Sequence, residues 1–223
     1  MKKIILSICM TVLTVAMATA QLTEGHVKYT VDVTSADPSM DMAVSMMQGT
    51  EMEMYFKGDM VRTNLTMGAM MTMSTIVDGG SGHILMLMGG MMGDKAITTT
   101  EEELEANSAD EEAPEMDVEL IDETKVIQGY TCKKAVLTDE EGNEMTYWYT
   151  DEITANGTGQ NHMNSDIPGF PMEFGQNRGG MIMNFLVSSI SKKLSAEDEK
   201  LFDTTIPAGY EVMSFEEFTS MGM

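Results

Sequence analysis

In the stretch EMEMYFKGDMVRTNL, residues 51–65, apolar and polar side chains alternate on both sides of a glycine turn. Successive side chains of a β-strand point to opposite faces, so Met52, Met54 and Phe56 share one face of the first strand. The turn at 57–59 leads directly into a second alternating run. The stretch therefore predicts an antiparallel β-hairpin.

The same alternation recurs along most of the chain. Further strands are expected at 26–33, 71–77, 83–88, 118–121, 130–137, 144–150 and 181–190. Residues 154–180 are rich in Gly, Asn and Pro and are expected to form an irregular connection. The spacing of Ser214 and Glu217 is that of a capping box and predicts a short terminal helix. Roughly eight or more strands with few short helices predict a mainly β protein with a curved antiparallel sheet.

An acidic segment interrupts this pattern. Between Thr98 and Glu119 the chain carries ten Asp or Glu residues and hardly an aliphatic one. Such a segment cannot bury enough apolar surface to offset the entropy lost on ordering. Residues 101–115 are therefore predicted to form a disordered or loosely attached surface loop.

The N-terminus has the features of an export signal. Residues 1–20 place two lysines before an apolar run that ends in the small residues Ala18-Thr19-Ala20, as in a cleavable signal peptide. Cys9 follows Ile8, so the small residue that precedes a lipoprotein cysteine is missing. The rest, residues 21–223, fits one β-rich domain. It contains no apolar run of the roughly 20 residues needed to cross a bilayer, so a soluble periplasmic or secreted protein is expected.

The negative charge of the chain disfavours anionic binding partners. The formal net charge is −23, and such a surface repels nucleic acid and anionic lipid headgroups. Cys132 is the one cysteine after the signal peptide, so no disulfide can form within the mature chain. A small buried side chain is its expected role.

Several spaced segments resemble a known family. They are residues 55–62, 75–78, 124–134, 148–150, 167–171, 201–202 and 206–210. In this order and spacing they are similar to the domain-of-unknown-function family DUF4412, exported proteins typical of Bacteroidota. Ile167-Pro168-Gly169-Phe170-Pro171 also resembles part of the GLPGLI family, although the string that names that family is absent. The likeness covers nearly all of the mature chain except the acidic segment.

The resemblance implies a fold similar to LolA and LolB, the periplasmic lipoprotein carriers. In those proteins an open antiparallel half-barrel holds acyl chains on its concave side, beneath helices that act as a lid. The resemblance supplies no catalytic residues. The resemblance indicates the fold better than the function. An envelope protein is a further candidate partner.

The clustered methionines are the strongest functional feature of the sequence. Fifteen of the 27 methionines fall between Met40 and Met92, many as Met-x-Met pairs. Thioether side chains are flexible and polarizable, so a surface lined with them can repack around different apolar guests. We therefore expect a concave sheet that binds a lipid, an acyl chain or another apolar small molecule. Its predicted ligand-binding residues are Met52, Met54, Phe56, Met71, Met73, Met86, Met88, Met183 and Phe185.

Two alternatives remain open at this level. Thioethers also select Cu(I), and His26, His83 and His162 could add ligands, although strand spacing requires ligands from neighbouring strands to converge. The methionines could instead fill a core or react with oxidants, in a structural protein without a ligand. Neither a resident metal nor a cofactor is predicted. Enzymatic motifs such as Gly-x-Ser-x-Gly or His-Glu-x-x-His are absent, so no enzyme is expected.

Overall fold

The computed structural model describes residues 21–68, 70–91, 93–108, 116–140, 142–156, 167–178 and 180–220. The predicted signal peptide, His162 and residues 109–115 of the acidic segment lie outside these ranges. The strands are β1 (Glu24–Ser35), β2 (Glu51–Lys57), β3 (Met60–Met67), β4 (Met71–Asp78), β5 (His83–Gly90), β6 (Lys95–Thr100), β7 (Asp117–Ile127), β8 (Tyr130–Thr138), β9 (Glu144–Thr150), β10 (Phe170–Arg178), β11 (Met181–Ser191) and β12 (Glu211–Met213). The helices are α1 (Asp41–Met46), α2 (Glu101–Ser108) and α3 (Phe215–Ser220), with 3-10 turns at Pro38–Met40 and Asp198–Phe202.

All these strands belong to one open sheet. Its order is β12-β6-β5-β4-β3-β2-β1-β11-β10-β9-β8-β7, and every neighbouring pair is antiparallel except β12 with β6. Two runs of consecutive hairpins therefore flank the central strand β1. The prediction of a mainly β protein with one large antiparallel sheet and few short helices is confirmed.

The sheet is strongly curved around β1. Phe56 on β2 and Phe170 on β10 are three strands apart, which corresponds to about 14 Å in a flat sheet. Their ring centroids are nevertheless only 5.9 Å apart. Because both side chains point to the same face, this face is concave, and we call it the inner face.

The core lies on the inner face. Side chains from β1, β2, β8, β9, β10 and β11 form one cluster of buried residues there, centred on aromatic rings. The ring of Phe174 stacks on that of Phe185 at 4.7 Å and lies 5.5 Å from that of Tyr147. A smaller cluster on the outer face joins Ile76 and Leu85 to Ile206 of the segment that follows β11.

The hairpins predicted from alternation are present with the expected register. In the β2–β3 hairpin Met54 is opposite Thr63 and Phe56 is opposite Val61. Gly58 in the turn has φ +59°, a conformation in which glycine carries no steric penalty. In the β4–β5 hairpin the pairing runs from Met71 opposite Gly90 to the turn at 79–82.

Three strands were not predicted: β6, β10 and the three-residue strand β12. β6 follows a glycine-rich turn and is short, and β10 lies in the segment expected to be irregular. Within β10, Phe170, Met172 and Phe174 alternate and are fully buried, and this pattern outweighs the neighbouring Gly and Pro. The register shifts between Pro171 and Glu173, because proline has no N–H to donate to the ladder.

The acidic segment also differs from its prediction. Residues 101–108 form the helix α2 instead of a disordered loop. Thr100 and Glu103 make a capping box, in which the Glu103 N–H donates to Thr100 Oγ1 and the Thr100 N–H donates to Glu103 Oε2, both at 3.2 Å. Acidic residues in the first turn also interact favourably with the helix dipole. The capping box predicted at Ser214 is present too: Glu217 N–H donates to Ser214 Oγ at 3.1 Å and begins α3.

Candidate functional site: the methionine-rich inner face

The strand register brings the nine predicted ligand-binding residues to one face of the sheet. Val27 and Tyr29 of β1 are buried in the core on the inner face and lie opposite Met54 and Met52 of β2. The residue pairs of the neighbouring strands, followed outward from β1 and β2, show which side chains share this face. Met52, Met54, Phe56, Met71, Met73, Met86, Met88, Met183 and Phe185 are all on this face. The sequence prediction of a shared face is therefore correct.

Burial divides these nine residues into two groups. Met52, Met54, Phe56, Met88 and Phe185 are buried, with at most 6% of each residue exposed. Met52, Met54, Phe56 and Phe185 belong to the packed core rather than to an accessible surface, and Met88 is buried beneath its half-buried neighbours on β4 and β5. This corrects the expectation that all nine residues line a cavity. The sheet curves tightly enough at β1 and β2 for Met52, Met54 and Phe56 to pack in one cluster with Phe185 and the side chains of β10, while Met88 is buried on β5 outside that cluster.

The accessible part of the inner face lies on β3, β4 and β5. Met71, Met73 and Met86 are half-buried there, while Met183 is half-buried on β11. Met67, which was not predicted, joins them because it lies directly opposite Met71 at the end of the β3–β4 hairpin. The alternation of residues 60–67 already contained this information.

We call Met67, Met71, Met73, Met86 and Met88 the methionine patch. Met73 lies opposite Met88, and Met86 lies opposite Thr75. Directly opposite residues have Cβ atoms about 4.5–5.5 Å apart, so the thioethers of adjacent strands are in reach of one another. The patch is a contiguous, largely apolar surface that contains no carboxylate.

Short helices lie at both sides of the patch. A Cβ atom on Gly68 would approach the Met46 carbonyl oxygen to 2.8 Å, which shows how closely the end of α1 packs on the β3–β4 turn. At the opposite side α3 packs against β6.

Gly90 lies at the end of β5, opposite Met71. It has φ +126°, and a Cβ atom there would be 2.3 Å from the Met70 carbonyl oxygen. Only glycine therefore lets the backbones of β4 and β5 approach this closely at that end of the hairpin.

An open cleft lies at another part of the sheet, near the ends of β9, β10 and β11. It has a volume of about 1260 Å³ and is lined by polar and acidic residues such as Asp32, Glu144 and Gln176, together with Phe185. Phe185 is the one predicted ligand-binding residue that lines it. The carboxylates make this cleft unfavourable for anions.

A polar cluster occupies the outer face of β1 and β2. The His26 ring stacks on Tyr55 at 4.0 Å, and Lys28 Nζ lies 2.6 Å from Glu53 Oε1. Burial lowers the pKa of His26 by more than the Glu53 carboxylate, 3.5 Å away, raises it. Burial and the hydrogen bond to Glu53 raise the pKa of Tyr55 to about 12, so its hydroxyl remains a donor to that carboxylate.

The segment after β11 crosses this outer face and is held by Arg62. The guanidinium donates from Nη1 to the Leu201 carbonyl at 2.8 Å, from Nε to Asn64 Oδ1 at 2.7 Å and from Nη2 to Ser74 Oγ at 3.1 Å. Burial lowers the pKa of Arg62. The bond to Leu201 attaches the crossing segment to the outer face, and the bonds to Asn64 and Ser74 hold the guanidinium on β3 and β4, which carry methionines of the patch on their other side.

Reactive groups are scarce in the described part of the chain. Cys132 is buried, as expected, and burial raises the pKa of its thiol, which disfavours the nucleophilic thiolate. Within the described ranges no group of three or more His, Cys, Asp or Glu side chains is arranged to hold a metal ion. Over the same residues, no helix is both long enough and apolar enough to span a bilayer.

Comparison with known proteins gives one partial family match. The family model described as the N-glycanase peptide, N-terminal domain, matches residues 95–202, somewhat less than half of the chain. No curated protein matches the sequence. A solved structure of PNGF-II aligns with 13% identity and a TM-score of 0.44, over 89% of this chain and 32% of that one. A crystal structure of MucB aligns with 12% identity and a TM-score of 0.39, over 86% of this chain and 60% of that one.

Proposed function

We propose that this protein is an exported binding protein, of the carrier kind and not an enzyme, that holds an apolar ligand against the methionine patch. The supporting observation is that Met67, Met71, Met73 and Met86 are half-buried side by side on the inner face. Thioethers in this state can rearrange around a guest at little cost, because each side chain has three rotatable bonds. The sequence resemblance to DUF4412, which implies a fold similar to the LolA and LolB carriers, agrees with this proposal.

The charge of the chain defines the ligand further. With a net charge of −23 and no cation on the patch itself, an anionic headgroup would be repelled. An uncharged or zwitterionic lipid, or the acyl chain of a lipoprotein, fits the surface better. Each buried methylene contributes about 0.8 kcal/mol, so a ten-methylene chain gains about 8 kcal/mol before the costs of association are subtracted.

The predicted export of the chain is consistent with binding of a lipid or an acyl chain. The signal peptide predicted at residues 1–20 would deliver the mature chain to the periplasm or the medium. A lipid or lipoprotein in transit between membranes is available there, and an envelope protein is the partner class that would receive it.

The test is extraction of the purified protein. The mature chain is isolated from its natural host without detergent, extracted with organic solvent and analysed by mass spectrometry, with Met73→Gln/Met86→Gln as the comparison. The proposal predicts a lipid near one equivalent per wild-type chain and several-fold less in the variant. Extracts that contain no lipid, or equal lipid from both proteins, would refute it.

A further inference from the structure

The side chains of the methionine patch all offer the same metal-binding atom, the thioether sulfur. We infer that Met67, Met71, Met73 and Met88 form a binding site for Cu(I). The thioether ligands of this site come from three adjacent strands. Neither the partial family match nor the proposed lipid function assigns such a site. The inference rests on the register of β3, β4 and β5.

The pairing of β3, β4 and β5 brings together methionine sulfur atoms that a single strand would hold apart. Met71 and Met73 lie on the middle strand β4 and point to the same face, about 7 Å apart along the strand. Met67 on β3 is directly opposite Met71, and Met88 on β5 is directly opposite Met73. Each opposite pair has its Cβ atoms within about 5.5 Å, so flexible side chains can bring three or four sulfur atoms to one point above β4.

The chemistry of these ligands selects the ion. Soft thioethers favour Cu(I), whereas Ca²⁺, Mg²⁺ and Mn²⁺ require oxygen ligands and Cu(II) prefers imidazole and other nitrogen or oxygen donors. No carboxylate or imidazole is on the patch. The cation nearest in register is Lys95, opposite Met88 on β6, and its ammonium is paired with Glu211, which limits its repulsion of a bound ion.

Accessibility also agrees with a metal site. Met67, Met71 and Met73 are half-buried, so an ion from solvent can reach their sulfur atoms. Met88 is only 5% exposed and would form the floor of the site. Leu65, a half-buried apolar residue, lies directly opposite Met73 beside the site.

The experiment measures Cu(I) binding under anaerobic conditions by competition with a colorimetric Cu(I) chelator. The mature wild-type chain is compared with Met71→Leu/Met73→Leu, which removes two thioethers but keeps the volume and apolarity of the patch. Met42→Leu/Met46→Leu is the matched control, because these two methionines on α1 are 77% and 49% exposed and lie off the patch. Met67→Leu serves as a second variant, and thermal unfolding establishes that each protein is folded.

We expect one Cu(I) per wild-type chain, at least a tenfold weaker affinity in Met71→Leu/Met73→Leu, about a threefold weaker affinity in Met67→Leu, and no change in the control. X-ray absorption of the loaded wild type should show sulfur neighbours only. Equal affinity in the patch variants and wild type, no Cu(I) binding by wild type, or binding of Cu(II) through nitrogen ligands would each overturn the inference. Because leucine keeps the patch apolar, binding of an uncharged lipid should survive in the same variants, so loss of metal binding and failure of the lipid proposal are separate outcomes.

Discussion

The Tyr29 hydroxyl on β1 donates a hydrogen bond of 2.8 Å to the Pro171 carbonyl on β10, across the intervening strand β11. In a flat sheet those two backbones would be about 10 Å apart with their side chains parallel. The bond therefore depends on the curvature of the sheet and ties its central strand to β10 inside the core. Burial raises the pKa of Tyr29, which keeps the hydroxyl protonated as a donor.

Replacing Tyr29 by Phe should lower the free energy of unfolding by about 1–2 kcal/mol, because the Pro171 carbonyl loses its partner in a buried site. Tyr130→Phe is the matched control. The Tyr130 hydroxyl is buried and has no hydrogen-bond partner among the described residues, so its removal should be neutral or stabilising. Urea denaturation of the two variants measures the difference. Equal destabilisation by both would mean that the Tyr29 bond contributes nothing specific.

Replacing Arg62 by Met should release the segment that crosses the outer face. The variant loses three charged-donor hydrogen bonds, including the one to Leu201, and should be destabilised by about 2 kcal/mol or more. Hydrogen exchange of amides in residues 194–210 should accelerate while exchange in β8 and β9 stays unchanged. Lys200→Met is the control, because its ion pair with Glu197 is exposed and worth little. Unaltered exchange in Arg62→Met would contradict the proposed anchoring role.

His26 should make stability depend on pH in a defined direction. Burial is the largest influence on its pKa and lowers it below 6.5, although Glu53 and Asp198 oppose that shift and Lys28 adds to it. The unfolded chain therefore binds this proton more tightly, and stability falls as pH decreases from about 6.5 through the folded-state pKa. Between about pH 7 and pH 5, wild type should lose more stability than His26→Gln. If wild type loses less than the variant, attraction to Glu53 outweighs burial and the assignment is wrong.

Much of the fold follows from residue alternation alone. The β2–β3 and β4–β5 hairpins, the shared face of the Met-x-Met pairs and the capping box at Ser214 are all local features, and each was predicted correctly. β10 was missed because its neighbouring Gly and Pro residues obscured the alternation of Phe170, Met172 and Phe174. α2 was missed because the acidic composition of its segment outweighed the Thr100–Glu103 capping box.

The candidate site was less predictable than the fold. Alternation assigns a face to a residue but not the depth of its burial, which depends on how far the sheet curves. Met54 and Met73 have the same sequence pattern, yet Met54 is 2% exposed in the core while Met73 is half-buried on the accessible patch. Met67 was missed because the predicted strand ended at Leu65. Continuing its alternation by two residues places Met67 on the same face, where it lies opposite Met71.

Titration with the uncharged fluorescent probe N-phenyl-1-naphthylamine measures whether the methionine patch binds an apolar guest. Wild type should give saturable binding, Met73→Gln/Met86→Gln should bind at least about tenfold more weakly, and Met42→Gln on the exposed face of α1 should match wild type. Gln nearly preserves the shape of Met, so a loss of binding would report polarity rather than misfolding. No saturable binding by wild type, or equal affinity in all three proteins, would show that the methionine patch does not bind such a guest.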